Sequence, residues 1–210
     1  MTLYYRKYDS YKEYVKHQSS KLDKMLKKKN KSTQKVRPEC FFKRVRYFQS
    51  NLEKFCPYMV EGKLLCLGAR TGAEVKAFMR LGFKDSIGID LNPGKDNPYV
   101  IKGDFHNMPF KDSSFNNVFT NSLDHIFDIR KLSREVNRVL VNGGKLIMEI
   151  SHFLDFNREG RKKQLESGKI YESFCFDDFK DIENGFKEFK LKHTEEFQGK
   201  KIMVVFENIK

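Results

Sequence analysis

Cysteine is sparse: four residues stand at positions 40, 56, 66 and 175, with no CxxC pair among them. That spacing supports neither a structural zinc site nor a disulfide framework, so reduced thiols in a cytoplasmic protein are expected. No run of about 18 apolar residues occurs, which leaves nothing to span a membrane as a helix. The first ten residues, MTLYYRKYDS, lack the basic, apolar and small-residue succession of a secretory signal. Internal repeats and long low-complexity tracts are missing as well. Asp90, Asp104, Asp124 and the five histidines show no ligand spacing, so no metal is expected.

What is present is a globular composition, with 39% hydrophobic and 33% charged residues in a chain of 210. A chain of that length hides roughly 70% of its unfolded surface, enough for a sizeable core. The formal charge of +13 is concentrated at one end: residues 1–50 hold 15 Lys or Arg against 4 Asp or Glu. Such a segment suits nucleic acid or another polyanion as a partner. The blander reading, a Lys-rich solvated helix face, is favoured because no nucleic-acid-binding motif accompanies the charge.

Two regions emerge along the chain. Residues 1–58 read as a basic helical extension or lid, and residues 59–210 as the main domain. Tyr4, Tyr5, Tyr8, Tyr11 and Tyr14 recur at spacings near three, which predicts one face of a helix. Residues 27–33 read as a helix end and linker. After Pro38, the set Phe41, Phe42, Val45, Phe48, Leu52 and Phe55/Cys56 predicts a second amphipathic helix.

From Lys63 onward, short apolar runs alternate with helical patterns, the signature of βαβ units and a parallel sheet. Strands are predicted at 63–68, 86–90, 99–104, 115–121 and 145–151, with helices at 73–82 and 129–140. Asn142-Gly143-Gly144 is expected to end the second of these helices. Residues 172–185 read as helical. The last segments, 188–197 and 200–209, alternate as strands joined through Gln198-Gly199, an antiparallel hairpin at the sheet edge.

The chemistry is carried by strand ends. Leu67-Gly68-Ala69-Arg70-Thr71-Gly72 is a glycine-bearing turn from strand to helix, where the backbone can approach a ligand and the helix N-terminus offers free N–H donors. A tight connection would need the same glycines. The G-x-G-x-x-G spacing of dinucleotide-binding folds is not met. Asp90 ends the second strand and can accept both hydroxyls of a ribose, or serve as a turn former before Asn92-Pro93. Asp104 ends the third strand and can accept an adenine amino hydrogen with Phe105 against the ring, or act as a cap. Open α/β sheets bind ligands at the carboxyl ends of their strands, which favours the three together as a site.

These segments resemble the class I S-adenosylmethionine-dependent methyltransferases of the common small type. Gly68–Gly72 is similar to the first cofactor motif, Asp90 to the ribose-binding acid and Gly103-Asp104-Phe105 with Met108-Pro109-Phe110 to the adenine-binding segment. Phe115–Val118 with Asn121-Ser122-Leu123-Asp124-His125, and Glu135–Gly144, match the later motifs. The wording GARTG, GIDLNPG, GDFH and TNSLDH also resembles a less studied methyltransferase-like group found in plants and elsewhere. The resemblance implies an α/β fold with a doubly wound, mostly parallel, Rossmann-like sheet. It implies S-adenosylmethionine contacts from Gly68, Ala69, Arg70, Thr71, Gly72, Asp90, Leu91, Asp104, Phe105 and Asn121. Two departures stand out: the family usually has an acid where Cys66 stands and a glycine where Arg70 stands. Arg70 can pair with the cofactor's carboxylate, point to solvent or obstruct the pocket.

His125, Asp124 and His152 follow the fourth and fifth strands and are the candidate catalytic residues. His125 is the first choice as base, since an ordinary pKa near 6.5 suits that role. The segment NSLDH is not the Asn-Pro-Pro-aromatic motif of amino-group methyltransferases that act on adenine or glutamine nitrogens. Three functional readings follow. The first is methylation of a small-molecule, glycan or other hydroxyl- or amine-bearing acceptor. The second is methylation of RNA or DNA held by the basic segment. The third is a binding or regulatory protein that keeps the fold without catalysis.

Overall fold

The computed structural model describes residues 3–29, 38–151, 158–168, 171–197 and 201–210. The expected turn at Gln198-Gly199, the linker around Asn30–Thr33 and the candidate His152 lie outside these residues.

The central sheet has seven strands in the order β4-β3-β2-β5-β6-β9-β8. These are β2 (Leu64–Leu67), β3 (Ser86–Asp90), β4 (Val100–Lys102), β5 (Phe115–Thr120), β6 (Leu140–Ser151), β8 (Phe189–Phe197) and β9 (Lys201–Asn208). The first five pair in parallel, whereas β9 runs antiparallel to β6 and β8 antiparallel to β9. The expected mostly parallel sheet with an antiparallel C-terminal pair is therefore present, with β9 inside and β8 at the edge.

Both faces of the sheet are covered, as parallel sheets require. The alternation within β2 assigns its residues to the two sides. Leu65 and Leu67 join Val118, Leu146 and Met148 against Ile129, Leu132 and Val136 of α4 (Ile129–Val139) and Ile182 of α6 (Phe179–Gly185). Leu64 and Cys66 join Phe119, Ile147 and Met203 on the opposite face. There they meet Val45, Phe48 and Leu52 of α2 (Pro38–Leu52), and Ala73, Val75 and Phe78 of α3 (Ala73–Arg80). The apolar stripe read after Pro38 is thus the face that packs, except that Phe42 remains 42% exposed.

Helix starts follow capping chemistry. Asp128 accepts from the N–H groups of Arg130 (2.8 Å) and Lys131 (3.0 Å) to begin α4, and Asp178 accepts from Lys180 N to begin α6. Ser10 and Glu13 begin α1 (Tyr11–Lys29): Glu13 N donates to Ser10 Oγ, and Glu13 Oε2 accepts from Asp9 N.

That start corrects the tyrosine series. Tyr4 and Tyr5 lie not on a helix but in β1 (Leu3–Tyr5), paired antiparallel with β7 (Phe174–Phe176). The five tyrosines share a different property, because each hydroxyl bonds the body of the protein: Tyr4 to Asp177, Tyr5 to Ile129 N, Tyr8 to Ser173, Tyr11 to Asp104 and Tyr14 to His125 O. The helix expected at 172–185 is likewise shorter, since its first residues form β7. Asn142-Gly143-Gly144 does not terminate a helix. It lies within β6, where Gly143 takes φ +74 and the register against β5 shifts between Phe115 and Asn117, a bulge built on glycine's freedom.

Candidate functional site

The carboxyl ends of the parallel strands share one edge. The winding reverses at β2, with β3 on one side and β5 on the other, so a crevice forms where open α/β sheets hold ligands. A cavity of about 50 Å³ lies there under α1. Its wall comprises Tyr14, Gln18, Gly68, Arg70, Asp90, Leu91, Asn92, Phe105, Ser122 and His125.

The turn after β2 is built on left-handed backbone at Gly68 (φ +66) and Gly72 (φ +79). A Cβ on Gly68 would sit 2.6 Å from Ser122 Oγ, and one on Gly72 would sit 2.5 Å from Tyr99 Cβ. A side chain at Gly68 would therefore intrude on the cavity wall at Ser122 and Phe105, whereas Gly72 lets the turn pack against Tyr99 and Val100. Arg70 shares the left-handed region at φ 42 despite its side chain, and its N–H donates to Asp90 Oδ2 at 2.9 Å. The other oxygen of Asp90 accepts from Asn92 N at 2.8 Å, so one strand-end carboxylate organises the loops after both β2 and β3. Ala69 is buried beneath the turn, and Thr71 is half-buried at its crest.

Asp104 follows β4 but does not line the cavity. Its Oδ1 accepts from His106 N (2.8 Å) and lies 3.3 Å from His106 Nδ1, and its Oδ2 accepts from the Tyr11 hydroxyl at 2.5 Å. Burial pushes this carboxyl up, but the bonds from His106 and Tyr11 outweigh it and hold the pKa below the usual carboxylate range. His106 is itself buried, and its Nε2 accepts from Phe127 N. Phe105 is 8% exposed and presents that remaining surface to the cavity.

The next segment is clamped from α4. Glu135 Oε2 accepts from Met108 N at 2.7 Å. Arg138 donates to Met108 O (3.0 Å) and Phe110 O (2.7 Å) while pairing with Glu135 and Asp112. This accounts physically for Glu135 in the segment EVNRVL, a role the motif alone does not state.

After β5, a 3₁₀ turn (Leu123–His125) carries both catalytic candidates that the structure describes. His125 reaches the cavity, and its Nε2 lies 3.5 Å from Asp124 Oδ2. Asn121 stands just before, its Oδ1 accepting from Ser122 Oγ at 3.4 Å.

Of the predicted site residues, Gly68, Arg70, Asp90, Leu91, Phe105 and His125 converge on the cavity wall. Ala69, Thr71, Gly72, Asp104, Asn121 and Asp124 are not part of that wall. Tyr14, Gln18, Asn92 and Ser122 also line it, although none was expected as a site residue. Asn92 and Ser122 sit inside recognisable motifs, whereas Tyr14 and Gln18 reach the site only through the docking of α1.

The acid missing at Cys66 has a neighbour that carries one. Glu74, in the first turn of α3, is buried. Burial pushes its carboxyl up to about 7, against its own backbone N–H and the charges of Arg44 and Arg70. Burial also raises the Cys66 thiol, with the Glu74 charge adding to it. Among the described residues no group of three or more His, Cys, Asp or Glu could hold a metal ion, and no helix is long and apolar enough to cross a membrane.

Comparison with known proteins agrees with this geometry. Residues 65–148 match the model of a methyltransferase domain family. An uncharacterized protein of Methanocaldococcus jannaschii is 27% identical over 154 residues, which cover 70% of this chain and 75% of that one. A solved SAM-dependent methyltransferase of Thermotoga maritima, described as a possible histamine N-methyltransferase, superposes with a TM-score of 0.61. It is 21% identical, with 81% of this chain and 94% of that one covered. A geranyl diphosphate C-methyltransferase of Streptomyces coelicolor, solved with S-adenosyl-L-homocysteine, gives 0.59 at 12% identity, covering 76% and 77%. Residues 65–148 thus match a methyltransferase domain family, and the sheet around them has the fold of solved S-adenosylmethionine-dependent methyltransferases.

Proposed function

We propose that this chain is an active S-adenosylmethionine-dependent methyltransferase, with residues 1–58 forming a lid and supporting structure over the domain of residues 59–210. The observation that supports this reading is the convergence of Gly68 and Arg70 of the glycine turn with Asp90 and Phe105 on one cavity beside His125. Asp90 would hold the ribose, Phe105 the adenine face and Arg70 the carboxylate of the methionine end. When bound, S-adenosylmethionine supplies an electrophilic methyl group on a sulfonium. The chain's own task is to align an acceptor and exclude water, and such orientation is worth roughly 7–11 kcal/mol of barrier. With its Nε2 lying 3.5 Å from Asp124 Oδ2, which balances the charge, His125 would take the acceptor's proton at Nδ1.

The acceptor we favour is a small molecule or glycan bearing a hydroxyl or amine, in a reducing cytoplasm where the four cysteines stay free. Neighbours whose names point to histamine and to geranyl diphosphate are so different that acceptor class does not follow fold. A second reading, a nucleic acid acceptor, has one observation in its favour. Lys16 and Lys102 flank an open groove beside Asn92, with Ser19 and Ser20 along it. Binding of RNA or DNA that collapses between about 50 and 200 mM salt would support it.

The deciding experiment is calorimetric titration with S-adenosylmethionine and S-adenosylhomocysteine, alongside Asp90→Ala. Micromolar binding that the variant abolishes supports the enzyme reading. Absence of binding in the natural protein overturns it in favour of a binding or regulatory role.

A further inference from the structure

Helix α1 crosses the mouth of the crevice and is tied down on both banks. On the β3 side Asn92 Nδ2 donates to Ser19 O at 2.8 Å. On the β5 side the Tyr14 hydroxyl donates to His125 O at 3.1 Å, and Gln18 Nε2 donates to Ser173 Oγ at 2.6 Å. Between them the Tyr11 hydroxyl reaches Asp104 Oδ2, and its ring packs edge-on against Phe127 with centroids 4.9 Å apart. The cavity beneath this strap measures about 50 Å³, whereas sites for cofactor-sized ligands run from ~300 to ~1,000 Å³. A nucleoside-bearing ligand therefore enters only when α1 lifts.

Among these ties, the bond from Tyr11 is the one made to a carboxylate that is ionised at neutral pH, and charge-assisted hydrogen bonds are the stronger kind. It also falls on the acid that an adenine amino group is expected to use. His106 already occupies Oδ1, so Oδ2 is the oxygen that Tyr11 holds. We propose that Tyr11 is the latch of the cofactor site, its hydroxyl holding Asp104 Oδ2 and α1 closed until the adenine amino group takes its place.

This rests on the methyltransferase reading and has a consequence that a purely structural tyrosine would not have. A ligand that binds only the lifted form has its affinity reduced by the fraction lifted. Weakening the latch therefore tightens binding, whereas a damaged fold would loosen it. Tyr11→Phe removes the hydroxyl and keeps the ring. The test pairs calorimetry of S-adenosylhomocysteine binding with amide hydrogen exchange across residues 11–20 in ligand-free protein.

The expected result is a dissociation constant about ten-fold lower and exchange in α1 about ten-fold faster, the scale of one lost hydrogen bond to a charged group. Tyr14→Phe, which loses a bond to a neutral carbonyl, moves both readouts less in the same direction. Asp104→Asn, which keeps the shape and removes the charge, speeds the exchange by the same route and serves if Tyr11→Phe does not fold. Unchanged exchange in the variant that folds overturns the latch. So does weaker or unchanged binding by Tyr11→Phe while α1 exchanges faster, since Tyr11 would then support the bound state. Failure of the natural protein and its variants alike to bind S-adenosylhomocysteine overturns the methyltransferase reading instead, and with it the cofactor's part in the latch.

Discussion

Asp90 Oδ2 accepts the backbone N–H of Arg70 at 2.9 Å, so the acid at the end of β3 holds the glycine turn that follows β2. The same carboxylate accepts from Asn92 N, and its outer lone pairs remain available to a ribose. Asp90 therefore has a structural duty beside the ribose-binding role proposed for it. Asp90→Ala leaves two loop N–H groups without their acceptor and is expected to cost about 2–3 kcal/mol, tempered by water that reaches the half-exposed site. Asp90→Asn, which retains one acceptor oxygen, is expected to cost about half as much. Urea denaturation separates the two. Stability equal to that of the natural protein in both variants would show that the loops do not depend on this carboxylate.

Arg70 is the departure that Asp90 has to accommodate. A non-glycine residue at φ 42 carries strain of roughly 1 kcal/mol, which glycine does not. Arg70→Gly is expected to raise stability by up to about 1 kcal/mol, reduced by the larger entropy of the unfolded glycine chain. If its guanidinium meets the cofactor's carboxylate, the same change weakens S-adenosylmethionine binding ten-fold or more, the scale of a charge-assisted contact. Opposite movement of stability and affinity is the signature. Unchanged affinity would mean that the guanidinium makes no such contact.

The site's frame was legible because its information is local. The apolar run ending in Asp90, and glycines placed between a strand and a helix, read directly as a strand end and a turn, whereas the strand expected to end at Asp104 stops at Lys102. The cover was not legible, because its contacts are remote in sequence. Leu3 pairs with Phe176 and Tyr11 with Asp104, and no periodicity near residue 11 announces either partner. The spacing of the five tyrosines imitated a helix face, while what they share is a hydroxyl aimed at the body of the protein. Asn142-Gly143-Gly144 misled for another reason. Glycine at positive φ serves a bulge as readily as a helix end, and only the pairing of Phe115 with Leu140 decides between them.

Arg138 clamps the segment between the turn at Asp104 and β5 through Met108 O, Phe110 O, Asp112 and Glu135. Arg138→Met keeps much of the apolar stem and removes every one of these bonds. The expected loss is about 2 kcal/mol, together with a several-fold weaker affinity for S-adenosylhomocysteine as residues 108–112 loosen. Arg138→Lys should recover little, because an ammonium cannot reproduce the planar fork that spans two carbonyls and a carboxylate. A thermal melt beside a binding titration checks both, and full recovery by lysine would contradict the forked geometry.

Glu74 makes stability depend on pH in a direction opposite to most carboxylates. Its ordinary pKa is 4.5, and burial in the folded protein pushes it up to about 7. Between those values the folded protein keeps a proton that the unfolded chain has already lost, so stability falls as pH rises through this window. The contribution amounts to up to about 3 kcal/mol, fully present below pH ~4.5 and lost as pH rises to ~7. Glu74→Gln cannot ionise and escapes this loss, whereas every other titrating group is common to both proteins and cancels in the comparison. Urea denaturation of both proteins from pH 4.5 to 8 should therefore show the variant gaining on the natural protein as pH rises, with the gap levelling off near 7. Parallel stability curves would mean that Glu74 ionises in the fold as readily as in water, and that Arg44 and Arg70 fully offset its burial.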